Sequence, residues 1–284
     1  MDQSHIQISR SVSWRHPPRP SGGRTMTQET SRSDIGGSLS HIWRVFRQKG
    51  VLHLAKSGAE KLMARQSVIT AQYWYCRVFK SWRRFTFRGE RYRYLYHKYN
   101  HTWKNERTVE IPIVWKMVQD HRGKRILEVG NVLPHYYDFS HEVVDKFEKG
   151  EGIANEDVVD FRPAGKYDLI VTVSTLEHVG WDEDPGARQK ILGEPAKILK
   201  AIENLRGLLA PGGKLVITLP LGYNPQLDRL LDEGMIASDE RHCLKRVSGG
   251  NKWREVDWVD CRGAKYGSPY QFANAVVIGI ISNP

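Results

Sequence analysis

Apolar residues alternate along the chain between short continuous runs and segments with helical spacing. Continuous runs rich in β-branched residues, typical of buried parallel strands, occur at 125–129 and most clearly at 167–173 (YDLIVTV). Segments 103–120 and 197–209 carry apolar residues at every third or fourth position, which predicts amphipathic helices. Strands that alternate with helices predict a doubly wound, mostly parallel α/β sheet, whose ligand crevice lies at the carboxyl ends of the strands.

Shorter apolar runs predict the remaining strands of this sheet. They are Val143–Val144, Asp157–Phe161, Lys214–Leu219 after a Pro-Gly-Gly turn, and a closing pair at Trp258 and 273–281. We therefore predict one α/β domain over residues 86–284.

The first 85 residues have a different pattern. Residues 1–40 are rich in Ser, Gly, Pro, Arg and Thr and poor in large apolar side chains, so we predict that they are disordered. Residues 41–85 place apolar residues, among them Trp74, Phe79 and Trp82, at roughly helical spacing between Lys and Arg. Such basic helices bind anionic membranes or phosphate backbones. The alternative is a helix pair that packs on the main domain and keeps its basic side chains in water.

Charge divides the chain in a similar place. The protein has 284 residues and a net charge of +11, but residues 1–108 carry 21 Lys/Arg and six Asp/Glu, against 22 and 26 in the remainder. A main domain that wrapped nucleic acid would carry its own positive charge. We therefore expect a basic partner surface near the N-terminus, and an anionic membrane is favoured over nucleic acid as its partner.

Composition excludes several protein classes. Apolar residues make up 40% of the chain and charged residues 26%, as in a globular protein. No apolar run approaches the roughly 18 residues of a membrane span. Three well-separated cysteines lack metal-ligand spacing. We predict a reduced, cytoplasmic protein without a metal site, with peripheral contact at the inner face of a membrane as the alternative.

The most informative segment is RILEVG, in which a strand carries Glu128 two residues before Gly130. A dinucleotide site would need further glycines here so that the backbone can approach a pyrophosphate, and residues 131–134 supply none. A carboxylate attracts an ammonium or sulfonium group. A cationic cofactor without a pyrophosphate therefore fits this strand end better.

At this point the chain resembles the class I S-adenosylmethionine-dependent methyltransferases, over about residues 100–284. Five segments carry the resemblance in the expected order, namely ILEVG, VVDKFE, EDVVDF, KYDLIVTVSTLEHV and LLAPGGKLVITLP. The resemblance implies a Rossmann-like, seven-stranded type of sheet, S-adenosyl-L-methionine as the cofactor, and methyl transfer as the reaction. The chain departs from the family in its single loop glycine and in short spacings, which imply that the first two crossover helices are abbreviated.

The resemblance also assigns cofactor-binding residues. Asp145 corresponds to the acid that binds the ribose, and Asp157 or, alternatively, Asp160 to the acid that faces the adenine. The backbone around 173–175 is expected beside the adenine or methionine part. The full set of candidates is Glu128, Gly130, Asn131, Asp145, Asp157, Asp160, Ser174 and Thr175.

Candidates for chemistry and for the methyl acceptor lie at neighbouring strand ends. His178, beside Glu177, is the candidate general base, which is needed only where the acceptor loses a proton. The residues assigned to the acceptor side are Trp181, Tyr223 and Asn224, with Arg107 in a helix that covers the site. An ordinary turn at Gly-Tyr-Asn-Pro and a solvated helix face are the structural alternatives.

These observations predict methyl transfer to a small-molecule or glycan-type acceptor. Oxygen is the expected acceptor atom, because motifs typical of methylation at amide or adenine nitrogen and at cytosine carbon are absent. Two other functions stay open. One is a non-catalytic adaptor with a methyltransferase-like fold, and the other is an RNA methyltransferase that uses the basic N-terminal segment.

Overall fold

The computed structural model describes residues 66–138, 140–181 and 195–284. The chain divides into two units, Met1–Ala64 and Arg65–Pro284, and the described residues belong to the second unit. The predictions for 1–40 and for 41–65 lie outside the described residues.

Helices and a small hairpin precede the main sheet. They are helix α1 (66–79), the antiparallel pair β1 (Arg84–Phe87) and β2 (Glu90–Arg93), and helix α2 (Arg107–Asp120). Phe85 and Phe87 are buried in the same apolar cluster as Cys76 of α1. The predicted domain boundary at 85/86 therefore falls inside β1, and α1 is part of the packed domain.

An eight-stranded sheet forms the centre of this unit, in the order β5-β4-β3-β6-β7-β10-β8-β9. Its strands are β3 (Ile126–Val129), β4 (Glu142–Val144), β5 (Ile153–Ala154), β6 (Tyr167–Val173), β7 (Leu209–Pro220), β8 (Glu240–Ser248), β9 (Lys252–Val256) and β10 (Ala275–Ser282). Strands β3 to β7 pair in parallel, whereas β10, β8 and β9 pair antiparallel. The predicted mostly parallel, doubly wound sheet is confirmed.

Helices cover both faces of the sheet, as α/β layering requires. Helix α2 packs on one face, and α3 (Pro195–Gly207) and α4 (Pro225–Asp232) lie on the other; a short α5 (Trp258–Cys261) follows β9. Strand β6 shows the principle, because Ile170 belongs to one apolar core and its neighbours Leu169 and Val171 to the other. Burial of each such side chain contributes about 1.5–3 kcal/mol.

Three details differ from the sequence-based expectation. Residues 157–161 form no strand, and the third strand is β5, because the chain turns back only a few residues after β4. Trp258 lies in α5, not in a strand. Strands β8 and β9 were not predicted. Their sequences (ERHCLKRVS and KWREV) contain many charged residues, which obscure the alternation of apolar and polar residues that is typical of a strand. In the described residues between β3 and β5 no α-helix occurs, which agrees with the expected shortening.

In the described parts of the chain, no helix has both the length and the apolar character needed to cross a bilayer.

Candidate functional site

A cavity of about 610 Å³ opens at the carboxyl ends of β3, β4 and β6. This size is typical of small-molecule sites. Its floor is apolar, and its rim carries carboxylates. The apolar lining includes Val129, Val132, Val144, Val158 and Val179, and the acids are Asp145, Glu148, Glu156 and Asp157.

Gly130 makes the first turn of the cavity and has to be glycine. Its φ is +84°, and an added Cβ would lie 2.4 Å from Thr175 Oγ1. Both the left-handed backbone and the close approach of the β6 exit loop exclude a side chain. Gly130 and Thr175 both line the cavity, as expected from the sequence.

The expectation that Glu128 faces a cationic ligand is wrong. Its side chain is fully buried and is not part of the cavity lining. One carboxylate oxygen accepts hydrogen bonds from the Val132 and Leu133 amides at 2.9 and 2.7 Å, and the other lies 2.5 Å from His141 Nε2. A buried carboxylate requires such partners. Glu128 therefore stabilises the loop after β3 from behind.

Asp145 lies at the rim directly after β4. Its Oδ1 accepts the amides of Phe147 and Glu148 at 2.8 and 2.7 Å, and its Oδ2 accepts the Asn131 amide at 3.3 Å. Asn131 Nδ2 in turn donates to Glu148 Oε1 at 2.8 Å. Because a carboxylate has about four acceptor positions, Oδ2 retains capacity for a ligand hydroxyl.

Asp157, and not Asp160, reaches the cavity. Asp157 lines it and forms ion pairs with Lys146 and Lys197 at 3.0 and 2.8 Å, whereas Asp160 is exposed outside it. Burial alone would raise the pKa of Asp157, but Lys197 and Lys146 outweigh burial and lower this pKa to about 2. Asp157 is therefore ionised at neutral pH, and the alternative Asp160 is excluded from the lining.

The exit of β6 is held by a buried polar network. Ser174 has a φ of +41°, and its hydroxyl donates to Glu110 Oε1 at 2.6 Å, away from the cavity. Arg107 donates to the carbonyls of Val173 and Ser174 at 2.6 and 3.3 Å. Arg107, predicted to bind the acceptor, is not part of the cavity lining. Its guanidinium fixes the unusual backbone at Ser174, which lines the cavity through other atoms.

His178 lies at the mouth of the cavity beside an aromatic side chain. Its ring centroid is 5.0 Å from that of Tyr223, and Tyr223 contacts Tyr266 at 5.1 Å. Glu177 is buried behind it, with Oε1 3.8 Å from His178 Nε2. Burial raises the pKa of Glu177 well above its ordinary value. His178 lines the cavity; Trp181 is half-buried and does not.

Asn224 is not part of the cavity lining, and its side chain is engaged within the protein. Its Oδ1 accepts the amides of Gln226 and Leu227 at 3.0 and 3.2 Å, and its Nδ2 donates to the Glu177 carbonyl at 2.8 Å. The residue is the N-cap of α4, which is the structural alternative for the Gly-Tyr-Asn-Pro turn.

Several cavity residues escaped the sequence analysis. They are Tyr99, Lys146, Phe147, Glu148 and Glu156. Phe147 is an exposed aromatic side chain at the rim. Its position in VVDKFE, two residues after Asp145, was a signal that could have identified it.

The order of the strands decides the fold. Five parallel strands place β3 and β6 at the centre, and the last strand, β10, is inserted antiparallel between β7 and β8. The chain has the class I methyltransferase fold. Strand β9 is an additional edge strand, and the cavity occupies the switch point between β3 and β6, where such sheets bind ligands.

Comparisons with solved structures find methyltransferases at low sequence identity and low structural similarity. No family model and no curated protein matches the chain. The N-methyltransferase NodS from Bradyrhizobium japonicum WM9, in complex with S-adenosyl-L-homocysteine, is 16% identical with a TM-score of 0.38, over 61% of this chain and 85% of that chain. A SAM-dependent methyltransferase from Archaeoglobus fulgidus is 11% identical with a TM-score of 0.37, over 65% and 98%. The sugar N-methyltransferase KedS8 from Streptoalloteichus sp. is 12% identical with a TM-score of 0.30, over 61% and 86%.

The cavity suits S-adenosyl-L-methionine in size and in chemistry. Four rim carboxylates, including Asp145 and Asp157, face it alongside Lys146 and His178. Hydroxyl groups and a sulfonium both favour such an acidic rim. Valines and Phe147 supply apolar surface for a nucleoside base.

Proposed function

We propose that the protein is an S-adenosyl-L-methionine-dependent methyltransferase that acts on a small-molecule or glycan-type acceptor. The observation that carries this proposal is the acid-rimmed cavity at the carboxyl ends of β3, β4 and β6 in a class I methyltransferase fold. The cofactor supplies an electrophilic methyl group when bound.

Each rim residue binds a different part of the cofactor. Asp145 Oδ2 accepts a ribose hydroxyl, since it accepts only one backbone amide, at 3.3 Å. Asp157 is held in place and ionised by its two lysines, so it accepts from the exocyclic amine of the base. Phe147 packs on the base, and Gly130 allows the backbone to approach it.

At the acceptor side, the protein mainly aligns the nucleophile and removes a proton. His178 lies at the mouth of the cavity, where its imidazole takes the proton of the attacking group. Glu177 is a positioning residue, 3.8 Å from His178 and buried. Tyr223 packs edge-on against the imidazole and limits its rotation. Alignment supplies most of the rate enhancement in such a displacement.

Calorimetry with S-adenosyl-L-homocysteine tests the cofactor site. We expect saturable binding to the wild type and an affinity loss of about 10- to 100-fold for Asp145→Asn, because one hydrogen bond to a charged acceptor contributes about 1.5–3 kcal/mol. Asp160→Asn is the matched control, since Asp160 is exposed outside the cavity, and it should leave the affinity unchanged. Absence of binding to the wild type would favour the adaptor function.

We predict oxygen as the acceptor atom, because the sequence lacks the motifs for methylation at nitrogen and carbon described above. Transfer of a labelled methyl group to an extract of small molecules and glycans, followed by NMR of the product, measures this. A methyl carbon with the chemical shift of a methoxy group is the expected result. A methyl group bound to nitrogen contradicts the oxygen assignment and leaves the methyltransferase assignment intact.

We also propose that the enzyme binds anionic membranes through the outer face of α1 and the turn that follows it, residues 80–82. Val78, Phe79 and Trp82 are 58%, 64% and 73% exposed, and Arg77 and Lys80 flank them. Aromatic and aliphatic side chains beside basic ones are typical of interfacial helices. Such contact places the enzyme at the inner face of a membrane, and the RNA methyltransferase alternative uses the same basic region.

Sedimentation with phosphatidylglycerol vesicles tests this contact. Val78→Ser/Phe79→Ser should lower the bound fraction several-fold, because each buried apolar side chain contributes about 1.5–3 kcal/mol. The control is Val259→Ser, a change of another exposed valine, at 69%, on α5. Equal binding of the double variant and the wild type rejects membrane contact through α1.

A further inference from the structure

A second cavity, of about 600 Å³, lies between β1 and β9, and none of its lining residues lines the cofactor cavity. Four cationic side chains line it, together with the indoles of Trp82 and Trp253. The cationic residues are Arg83, Arg84, Lys252 and Arg254. Nothing in the proposed methyl transfer uses this cavity.

The cavity contains one acidic residue, Glu255, and its carboxylate is engaged elsewhere. Its Oε2 accepts the Arg88 amide at 2.9 Å, and its Oε1 lies 3.0 Å from His242 Nδ1. Within the described ranges, no carboxylate lies within ion-pair distance of the four cations. The cavity therefore holds an excess of positive charge.

Arg83 is fixed in the wall of the cavity by contacts with the protein. Its Nη1 donates to the Gly250 carbonyl at 3.2 Å, and its guanidinium lies 5.2 Å from the centroid of Tyr94. Its Nη2 is buried, and the guanidinium lies beside the Tyr96 hydroxyl, whose pKa it lowers through its charge and a side-chain hydrogen bond against the larger effect of burial. A guanidinium held by these contacts keeps its positive charge at a fixed place in the wall of the cavity.

Arg84 is also fixed in place. Its Nη1 donates to the carbonyls of Ser81 and Arg83 at 2.9 and 3.1 Å. Burial, followed by the charges of Arg93 and Arg91, lowers the pKa of Arg84. An anion bound here would reduce this crowding of positive charge.

We propose that the cavity between β1 and β9 binds a phosphate group. Guanidinium groups match the geometry of phosphate oxygens, and lysine adds a point charge. The rim indicates that the phosphate belongs to a lipid, since Trp82 and Val247 are exposed apolar side chains beside the cations. The cavity therefore binds the phosphate of the lipid headgroup, while the apolar face of α1 contacts the acyl region of the membrane.

Calorimetry with inorganic phosphate and with glycerol 3-phosphate tests the site, and vesicles of phosphatidylglycerol against phosphatidylcholine identify the source. We expect saturable binding that Arg84→Gln/Lys252→Gln weakens at least 10-fold and that added salt weakens further. Lys200→Gln/Arg206→Gln is the control, because it removes the same charge from exposed positions on α3. The single change Lys252→Gln, at an exposed residue, repeats the test if the pair lowers stability.

Preference for phosphatidylglycerol vesicles over glycerol 3-phosphate supports a lipid phosphate, and equal affinities support a soluble phosphate ester in the same site. Absence of saturable binding with all four probes overturns the proposal. An equal loss with the α3 control also overturns it, since it would mean that net charge alone drives binding. Calorimetry with S-adenosyl-L-homocysteine is independent of these outcomes, so failure of this site is distinguishable from failure of the methyltransferase assignment.

Discussion

Replacement of Glu128 by alanine is expected to lower the free energy of unfolding by about 3–5 kcal/mol. The substitution leaves the amides of Val132 and Leu133 without this acceptor and removes the contact between Glu128 and His141. All of these groups lie in or beside the fully buried pocket of Glu128, where water cannot replace the lost hydrogen bonds. Denaturation by urea, with the free energy extrapolated to water, measures the loss.

Two further variants separate the buried network from a general effect of charge. Glu128→Gln retains one oxygen for the loop amides and should lose less than the alanine variant. Glu151→Ala removes a carboxylate from an exposed residue and should change stability by less than about 0.5 kcal/mol. A loss below 1 kcal/mol for Glu128→Ala would show that the loop after β3 does not depend on this carboxylate.

Gly130→Ala is expected to abolish most cofactor binding. The added Cβ would lie 2.4 Å from Thr175 Oγ1 and 2.8 Å from Thr175 Cγ2, so the loop after β3 or the loop after β6 has to move. Both loops form walls of the cavity. The φ of +84° adds a backbone cost of about 1–2 kcal/mol. Calorimetry with S-adenosyl-L-homocysteine should show at least a 10-fold loss of affinity, and thermal unfolding a lower midpoint.

The chain offers a matched control for the backbone cost. Gly152 has a φ of +78°, and an added Cβ there meets no atom within 4 Å. Gly152→Ala should therefore lose stability and keep its affinity for the cofactor product. In Gly130→Ala/Thr175→Ala the two closest atoms are gone, and part of the affinity should return. Equal affinities for Gly130→Ala and Gly152→Ala would contradict the role assigned to the close approach.

The fold was predictable from the sequence because its central strands are buried on both faces. YDLIVTV in β6 is a continuous β-branched run, which is typical of a buried parallel strand. The order of the five segments that resemble the methyltransferase family also indicated the topology of the sheet. The antiparallel side of the sheet was harder to predict, since β8 and the edge strand β9 carry many charged side chains. Because the crossover before β5 is short, the third strand is Ile153–Ala154 and precedes the predicted strand Asp157–Phe161 in the chain.

The candidate site was predictable in its location and less so in its individual residues. A carboxylate near the end of a strand can point into the crevice or into the loop that follows the strand. Glu128 points into the loop, because His141, thirteen residues away, contacts its second carboxylate oxygen. Asn224 and Arg107 are polar residues in turns and helix starts whose partners come from distant segments. Local patterns do not contain these long-range hydrogen bonds.

Helix α1 shares one hydrophobic core with β1 and α2, through Cys76, Phe85 and Val109. Its outer face, with Val78 and Phe79, is therefore part of the packed domain. Any surface that holds this face fixes the orientation of the entire domain relative to itself. The mouth of the cofactor cavity then has a constant orientation relative to that surface. Acceptors are therefore selected by their position relative to the surface as well as by their chemistry.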